Sequence, residues 1–361
     1  MSELTVTVGP QHPGSGHFAL IVKLDGDKIV EVIPDPGYVH RGDEKVSENK
    51  NYIQNIPHFE RPAILDASNM LFPYVHAVED LMKLEIPVRG QYIRVIMAEL
   101  NRIISHLYYF AIYGIFVGHS TMFMWPVADR EHFIDLAQMI SGQRVGFAFL
   151  LPGGVRNDIP EAVKERANEA CNYFEKRLIE YERIFMNNPI FEKRAKGMGI
   201  LSKEDAIKLG VVGPTLRASG IKSDIRKDEP YAVYDKLDFE IPVSKDGDSW
   251  ARAWIHIEEM RQSMSIIKQA LKDIPSGPVK LNLRGQVRPP PGETFTRAES
   301  SRGAVSFYLI SNGGMTPYRL RMITPSFRNL RAISHITKGL LLADLPPAFW
   351  SLDYWPVEAD R

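Results

Sequence analysis

The 361-residue chain contains a single cysteine, Cys171. One thiol makes no internal disulfide, no four-cysteine zinc site and no iron–sulfur cluster held by this chain alone. So little cysteine reads as an intracellular, reduced protein. Net charge is absent as well, since 44 Lys and Arg balance 44 Asp and Glu. That balance argues against a nucleic-acid binder working through a basic face. The sequence has no phosphate loop, no Rossmann fingerprint, no Gly-x-Ser-x-Gly elbow and no His-Glu-x-x-His. Nucleotide binding, serine hydrolysis and zinc proteolysis therefore lack their signatures. The start, Met1-Ser2-Glu3-Leu4-Thr5, has neither a basic region nor a long apolar run, so no signal peptide is expected. There is no internal repeat and no low-complexity tract.

What the chain does have is apolar mass: 44% hydrophobic and 10% aromatic residues. This excludes a disordered tail and suffices for a large core. At about 150 residues per domain the length implies two to three structural units. Charge is missing from one long stretch, 103–128. A membrane-spanning helix needs roughly 20 mostly apolar residues, but Ser105, His106, His119, Ser120 and Pro126 interrupt this one. It reads instead as a buried helix followed by a loop, set against a partner or an apolar ligand.

Periodicity supplies the elements. Strands are expected at 4–8, 18–24 and 28–33, the last two flanking Asp25-Gly26-Asp27. Ile93, Ile96, Leu100, Ile103, Ile104 and Leu107 form one stripe, which predicts a helix over 91–109. Pro160 opens a second helix that runs to 186, and a third covers 250–271. Strands at 305–311 and 318–323 flank Asn312-Gly313-Gly314, and a last helix is expected over 329–345. The fold class is therefore α+β, with an N-terminal antiparallel β region at 1–50 and a helical bundle at 51–275. A mixed excursion interrupts the bundle at 187–248, and a C-terminal β region with a final helix covers 276–361.

Local chemistry is sparse. The Gly/Pro-rich turn 9–17 places His12 and His17 between two strands. Histidine is the side chain that exchanges a proton near neutrality, although a structural turn with solvated histidines is the plainer local reading. His106 reads as a satisfied core histidine. Glu99 and Arg102, three apart on one helix face, are set for an ion pair.

Taken together and in order, several segments carry more information. They are Gly9-Pro10-Gln11-His12-Pro13, Gly37-Tyr38-Val39-His40-Arg41-Gly42 and Asn51-Tyr52-Ile53-Gln54-Asn55-Ile56. They continue through Tyr92-Ile93-Arg94, Ser105-His106-Leu107, Gly142-Gln143-Arg144, Leu216-Arg217-Ala218-Ser219-Gly220, Ser301-Arg302-Gly303 and Ala359-Asp360-Arg361. This series resembles the 49-kDa-type, quinone-site family of the respiratory NADH:quinone oxidoreductases (complex I). Ser120-Thr121-Met122-Phe123-Met124 looks like its archaeal branch. The family is similar to nickel–iron hydrogenase large subunits, so the resemblance implies that fold. Hydrogenases hold nickel with two Cys-x-x-Cys pairs. Here the corresponding positions are Ala63, Asp66, Trp355 and Glu358. Without soft thiolates no such centre forms.

The resemblance implies a polypeptide that is not active alone and binds no redox centre itself. A 4Fe–4S cluster in a neighbouring, B-like small subunit would reduce a quinone-like carrier in a cavity walled by this chain. C-like, I-like (ferredoxin-type) and H-like (membrane) partners would complete the complex, with no nucleic acid. The implied location is peripheral, on the cytoplasmic face of the membrane. Quinone reduction takes two electrons and two protons, so the cavity needs donors. The family's donor histidine falls at Gly16 or His17, depending on a one-residue gap. His17 is the natural candidate, and His12 holds its family position. The family's tyrosine aligns with Ile64 and its aspartate with Phe116, with His119 as the expected replacement for the lost acid. Pro13, Ile64, Phe116 and His119 would line the cavity, while Arg61 and Arg144 would face the cluster. A guanidinium there would favour the reduced cluster. A family histidine near the cluster stands as Gly146. The apolar pair Ile64 and Phe116 suits a lipid-soluble carrier other than ubiquinone. The alternative is a scaffold in which those two side chains plug the cavity and the chain only docks the cluster-bearing partner on the membrane arm.

Overall fold

The computed structural model describes residues 4–11, 17–283 and 286–361. Strands β1 (Leu4–Val8), β2 (Ala19–Asp25) and β3 (Lys28–Asp35) form an antiparallel sheet in that order. Asp25 pairs with Lys28, so Gly26 and Asp27 alone make the turn. Alternation does the rest: Leu20, Val22 and Leu24 of β2 are buried.

Five long helices carry the bulk of the core: α1 (Ala67–Met82), α2 (Val88–Phe116), α3 (Ser120–Ser141), α4 (Ala162–Tyr181) and α5 (Ser249–Asp273). The central one is α2, which packs on both α3 and α5. Its apolar stripe extends past the expected 91–109 at both ends. The loop expected after it is replaced by the start of α3. At 119 a histidine takes the N-cap position, its Nδ1 accepting the Met122 N–H at 3.1 Å. Composition does not advertise such a cap, because Ser, Thr, Asp and Asn are the usual ones. Gly114 makes the close turn possible, since a Cβ there would lie 2.8 Å from the Met122 carbonyl carbon. No helix among the described residues is long and apolar enough to cross a membrane.

The second sheet holds β4 (Gly292–Ser300), β5 (Gly303–Ser311) and β6 (Arg319–Ile323) in that order, all antiparallel. Sequence patterning points to β5 and β6 but not β4, whose Thr294 and Thr296 read as polar loop. Thr296 is instead buried, donating from Oγ1 to the Pro73 carbonyl inside α1 at 2.6 Å. The final helix expected over 329–345 is broken. It runs as α6 (Pro325–Thr337), and the chain then pairs with the edge of the first sheet, Gly339 N–H donating to the Ile29 carbonyl at 2.8 Å. Two short helices follow, α7 (Leu345–Trp350) and α8 (Pro356–Asp360). Both three-stranded sheets, a small two-stranded one (Leu150–Leu151 with Gly154–Val155) and all five long helices contribute to one continuous apolar core.

Candidate functional site

The C-terminal segment gathers one wall of the molecule. Phe18, next to His17, is fully buried. Its ring lies 5.5 Å from Phe349 in α7 and 4.5 Å from Tyr354. Phe116, the last residue of α2, lies 5.5 Å from Trp350 of α7. Tyr108, earlier on α2, meets Trp355 edge-on at 5.9 Å, with the Arg130 guanidinium 5.8 Å from its ring. The short 3-10 segment Arg61–Asp66 packs against α8 and α2 and carries Ile64, which remains 38% exposed. Aromatic stacking and edge contacts of this kind orient rings as well as burying them.

Beneath this wall lies Arg302, in the turn between β4 and β5. Its Nε donates to the Asp353 carbonyl at 3.1 Å and stands 3.4 Å from Asp353 Oδ1. Its Nη1 is 3.6 Å from Glu358 Oε2, and its guanidinium lies 5.4 Å from the Trp355 ring. Burial works against the charge of Arg302, but Asp353, Glu358 and Asp66 outweigh it and hold the group protonated. Asp66 accepts the Ser301 N–H and Asn69 Nδ2, both at 2.6 Å. Burial raises the Asp66 carboxyl and pushes Glu358 up to about 7. Glu358 is thus a buried carboxylate facing the Arg302 guanidinium, and Asp66 a buried carboxylate held by the Ser301 N–H and Asn69. Gly213 closes over this turn with φ +69, where a Cβ would overlap the Arg302 carbonyl oxygen.

Deeper in, Glu99 accepts from Arg102 Nε at 3.2 Å, Arg226 Nη1 at 3.1 Å, and Tyr234 OH and Ser263 Oγ at 2.6 Å each. The expected Glu99–Arg102 pair is therefore one edge of a larger network. Burial opposes the Glu99 charge, yet Arg102 and Arg226 keep it below the usual carboxylate range. Arg217 bridges Glu259 at 2.6 Å and Glu299 at 2.8 Å, and Glu259 Oε2 meets His106 Nε2 at 3.0 Å. Buried charges persist only when hydrogen-bonded this fully. On the other side of the 61–66 segment, Glu60 accepts the Ala148 N–H at 2.7 Å. Burial pushes its carboxyl up to about 7 against the pull of Arg156 and Arg61. Carboxyl groups poised near neutrality are able to store and pass protons.

The residues singled out from sequence are distributed as follows. His17 is exposed at the foot of β2, and Ile64 and Phe116 lie on the wall described above. His12 and Pro13 lie outside the described residues. His119 caps α3, its Nδ1 committed as the acceptor of the Met122 N–H. Arg61 is exposed at the head of its 3-10 segment. Arg144 is exposed too, and its charge is met locally by Glu131, by Asp135 at 2.7 Å and by Gln138 at 3.1 Å, all on α3. Sequence reasoning misses Tyr108, Arg130, Glu60, Arg302 and Asp353. Tyr108 offers a signal, being a phenol directly after Ser105-His106-Leu107, and so does Arg302, within Ser301-Arg302-Gly303.

A family model described as respiratory-chain NADH dehydrogenase, 49 Kd subunit, matches residues 117–288 and 280–361. The D subunit of NADH-quinone oxidoreductase from Desulforamulus reducens is 41% identical over 359 residues, 99% of this chain and 98% of that protein. Its counterpart in Carboxydothermus hydrogenoformans is 41% identical over 352 residues, covering 97% and 96%. Among solved structures, a chain of the membrane-bound sulfane sulfur reductase, an archaeal respiratory membrane complex, matches with a TM-score of 0.95 and 35% identity. That match covers 99% of this chain and 98% of the other. With fold, motif order and relatives in agreement over nearly the whole length, the chain belongs to the 49-kDa subunit family of respiratory-chain NADH dehydrogenases.

Proposed function

We propose that this chain is the peripheral-arm subunit of a complex I-like membrane oxidoreductase that walls the site where a quinone-like carrier is reduced. The single observation that carries this is the convergence of Phe18, Tyr108, Phe116 and Trp355 on one C-terminal segment, with titratable groups directly behind it. Electrons would come from a 4Fe–4S cluster on a B-like small subunit, with Arg61 facing that side. Every step assigned to this chain is a proton or positioning step. His17 and Tyr108 give protons to the two headgroup oxygens. Glu358, held near neutrality beside Arg302, returns protons to the wall. Ile64 and Phe116 present apolar surface to the carrier ring and tail. The uncharged end of α2 would face an H-like membrane partner, with the chain peripheral to the bilayer on its cytoplasmic side.

A plugged scaffold is the competing reading. The 38% exposure of Ile64 favours a working wall, because a plug would be buried. The test uses the purified complex carrying His17→Ala or Tyr108→Phe. Reduction of a soluble quinone analogue should fall at least tenfold, while the partner's cluster is still reduced by the electron donor. Unchanged turnover in both variants, with an intact complex, would sink the assignment and leave the scaffold.

A further inference from the structure

We infer that His106, His256 and Asp353 form a binding site for a divalent first-row transition cation, with zinc as the best fit. The three side chains are at most 2% exposed. They come from α2, α5 and the turn after α7, and one ligand atom from each lies within 4.8 Å of the others. Neither Asp66 nor Glu358 takes part, although Arg302 touches both Asp353 and Glu358.

The hydrogen bonds fix which atoms face inward. His106 Nε2 meets a Glu259 carboxylate oxygen at 3.0 Å, and His256 Nδ1 meets the Arg252 carbonyl at 2.7 Å. Carbonyls and carboxylates accept, so both of these nitrogens carry the hydrogen. The other two nitrogens, His106 Nδ1 and His256 Nε2, present lone pairs. Among the described residues neither has a hydrogen-bond partner, and neither side-chain oxygen of Asp353 has one. Asp353 Oδ1 is met by the Arg302 guanidinium at 3.4 Å, which leaves His106 Nδ1, His256 Nε2 and Asp353 Oδ2 as three buried acceptor atoms with no donor among them, an arrangement that calls for a cation. An outer hydrogen bond to carboxylate or carbonyl is also how a metal-bound histidine is oriented.

The spacing agrees. His256 Nε2 stands 3.7 Å from Asp353 Oδ2, too far for a hydrogen bond. Two ligands of a tetrahedral ion with bonds of about 2.1 Å are about 3.4 Å apart. Two imidazoles and one carboxylate, without thiolate, select a borderline cation over calcium or magnesium, which prefer oxygen ligands. Tyr109 closes one side, its ring stacked 3.9 Å from His256. Arg302 sits on the outer oxygen of Asp353. Three protein ligands leave a fourth tetrahedral position for water, and an ion held this way would tie α2, α5 and the C-terminal turn together.

The test is element analysis and anomalous diffraction on the native complex, purified without chelator. The expected result is an anomalous peak above the zinc edge between His106 and Asp353. The His256→Gln complex should lack that peak and hold one zinc fewer. Iron or manganese at the same point supports the site and replaces zinc as its ion. A native complex with no metal peak there, still empty after soaking in zinc chloride, overturns the inference. If His256→Gln fails to assemble, the native map alone decides. Carrier reduction is not the readout, so failure here leaves the proposed function untouched.

Discussion

Tyr108 stands edge-on to Trp355 at 5.9 Å while Arg130 covers its ring from α3. Under the proposed function this phenol would give one of the two headgroup protons. Burial raises its pKa, and Arg130 and Arg302 pull it back. A positioned proton donor is worth roughly 10²–10⁴ in rate. Tyr108→Phe keeps the ring and should slow carrier reduction by at least tenfold without changing complex yield. Steady-state turnover measured beside cluster reduction separates this from a structural defect.

Glu60 gives a pH signature. Its carboxyl titrates near 7 in the fold, against 4.5 for an unperturbed glutamate. The folded state therefore binds the extra proton between those values, and stability falls as pH rises from about 4.5 to about 7. The full penalty, on the order of 3 kcal/mol at 1.36 kcal/mol per unit, is present above 7. Glu60→Gln keeps an acceptor for the Ala148 N–H. Thermal melts should show the variant gaining on the wild type as pH rises from 5 to 8, with little difference below 4.5. Parallel curves would remove Glu60 from this role.

Arg226 donates to Asp224 at 2.7 Å and to Glu99 at 3.1 Å, and all three are buried. Arg226→Met leaves two carboxylates short of a cation. Breaking a buried pair this way costs about 3–5 kcal/mol. Denaturant unfolding should show that loss or a failure to accumulate, and a cost below about 1 kcal/mol would contradict the network.

At Gly213 the left-handed backbone and the close approach to the Arg302 carbonyl act together. Gly213→Ala should cost roughly 2–4 kcal/mol, from strain plus overlap. Since the clash falls on the backbone of Arg302, carrier reduction should drop with stability in the same variant.

Cys171 is buried in α4, and burial pushes its thiol up to about 12. Thiolate is the reactive form. Iodoacetamide at pH 8 should leave the native chain unlabelled and modify it once upon unfolding, as read by intact mass.

Much of the frame is legible in sequence because local pattern and tertiary role coincide. Leu4–Val8 alternates and forms β1, the Gly26-Asp27 turn sets its own register, and the stripe from Ile93 to Leu107 lies in the middle of α2. Elements escape sequence reading where the burying partner is remote. β4 reads as polar until Thr296 meets the Pro73 carbonyl, and α3 starts on a histidine cap. The site is less legible still. His17, Ile64 and Phe116 emerge only through a resemblance, because nothing in their spacing points to chemistry. Arg302 is far along the chain from Asp353 and Glu358, and the three acquire their roles only by meeting in the core.

The wall is completed by α7, Tyr354, Trp355 and α8, which follow every other part of it along the chain. During synthesis, Phe18, the 61–66 segment and α2 emerge before the partners that fix them. An unfinished copy thus lacks the rings of Phe349, Trp350 and Trp355 against which Phe18, Phe116 and Tyr108 are set, so the wall takes shape only after the last residues have been added.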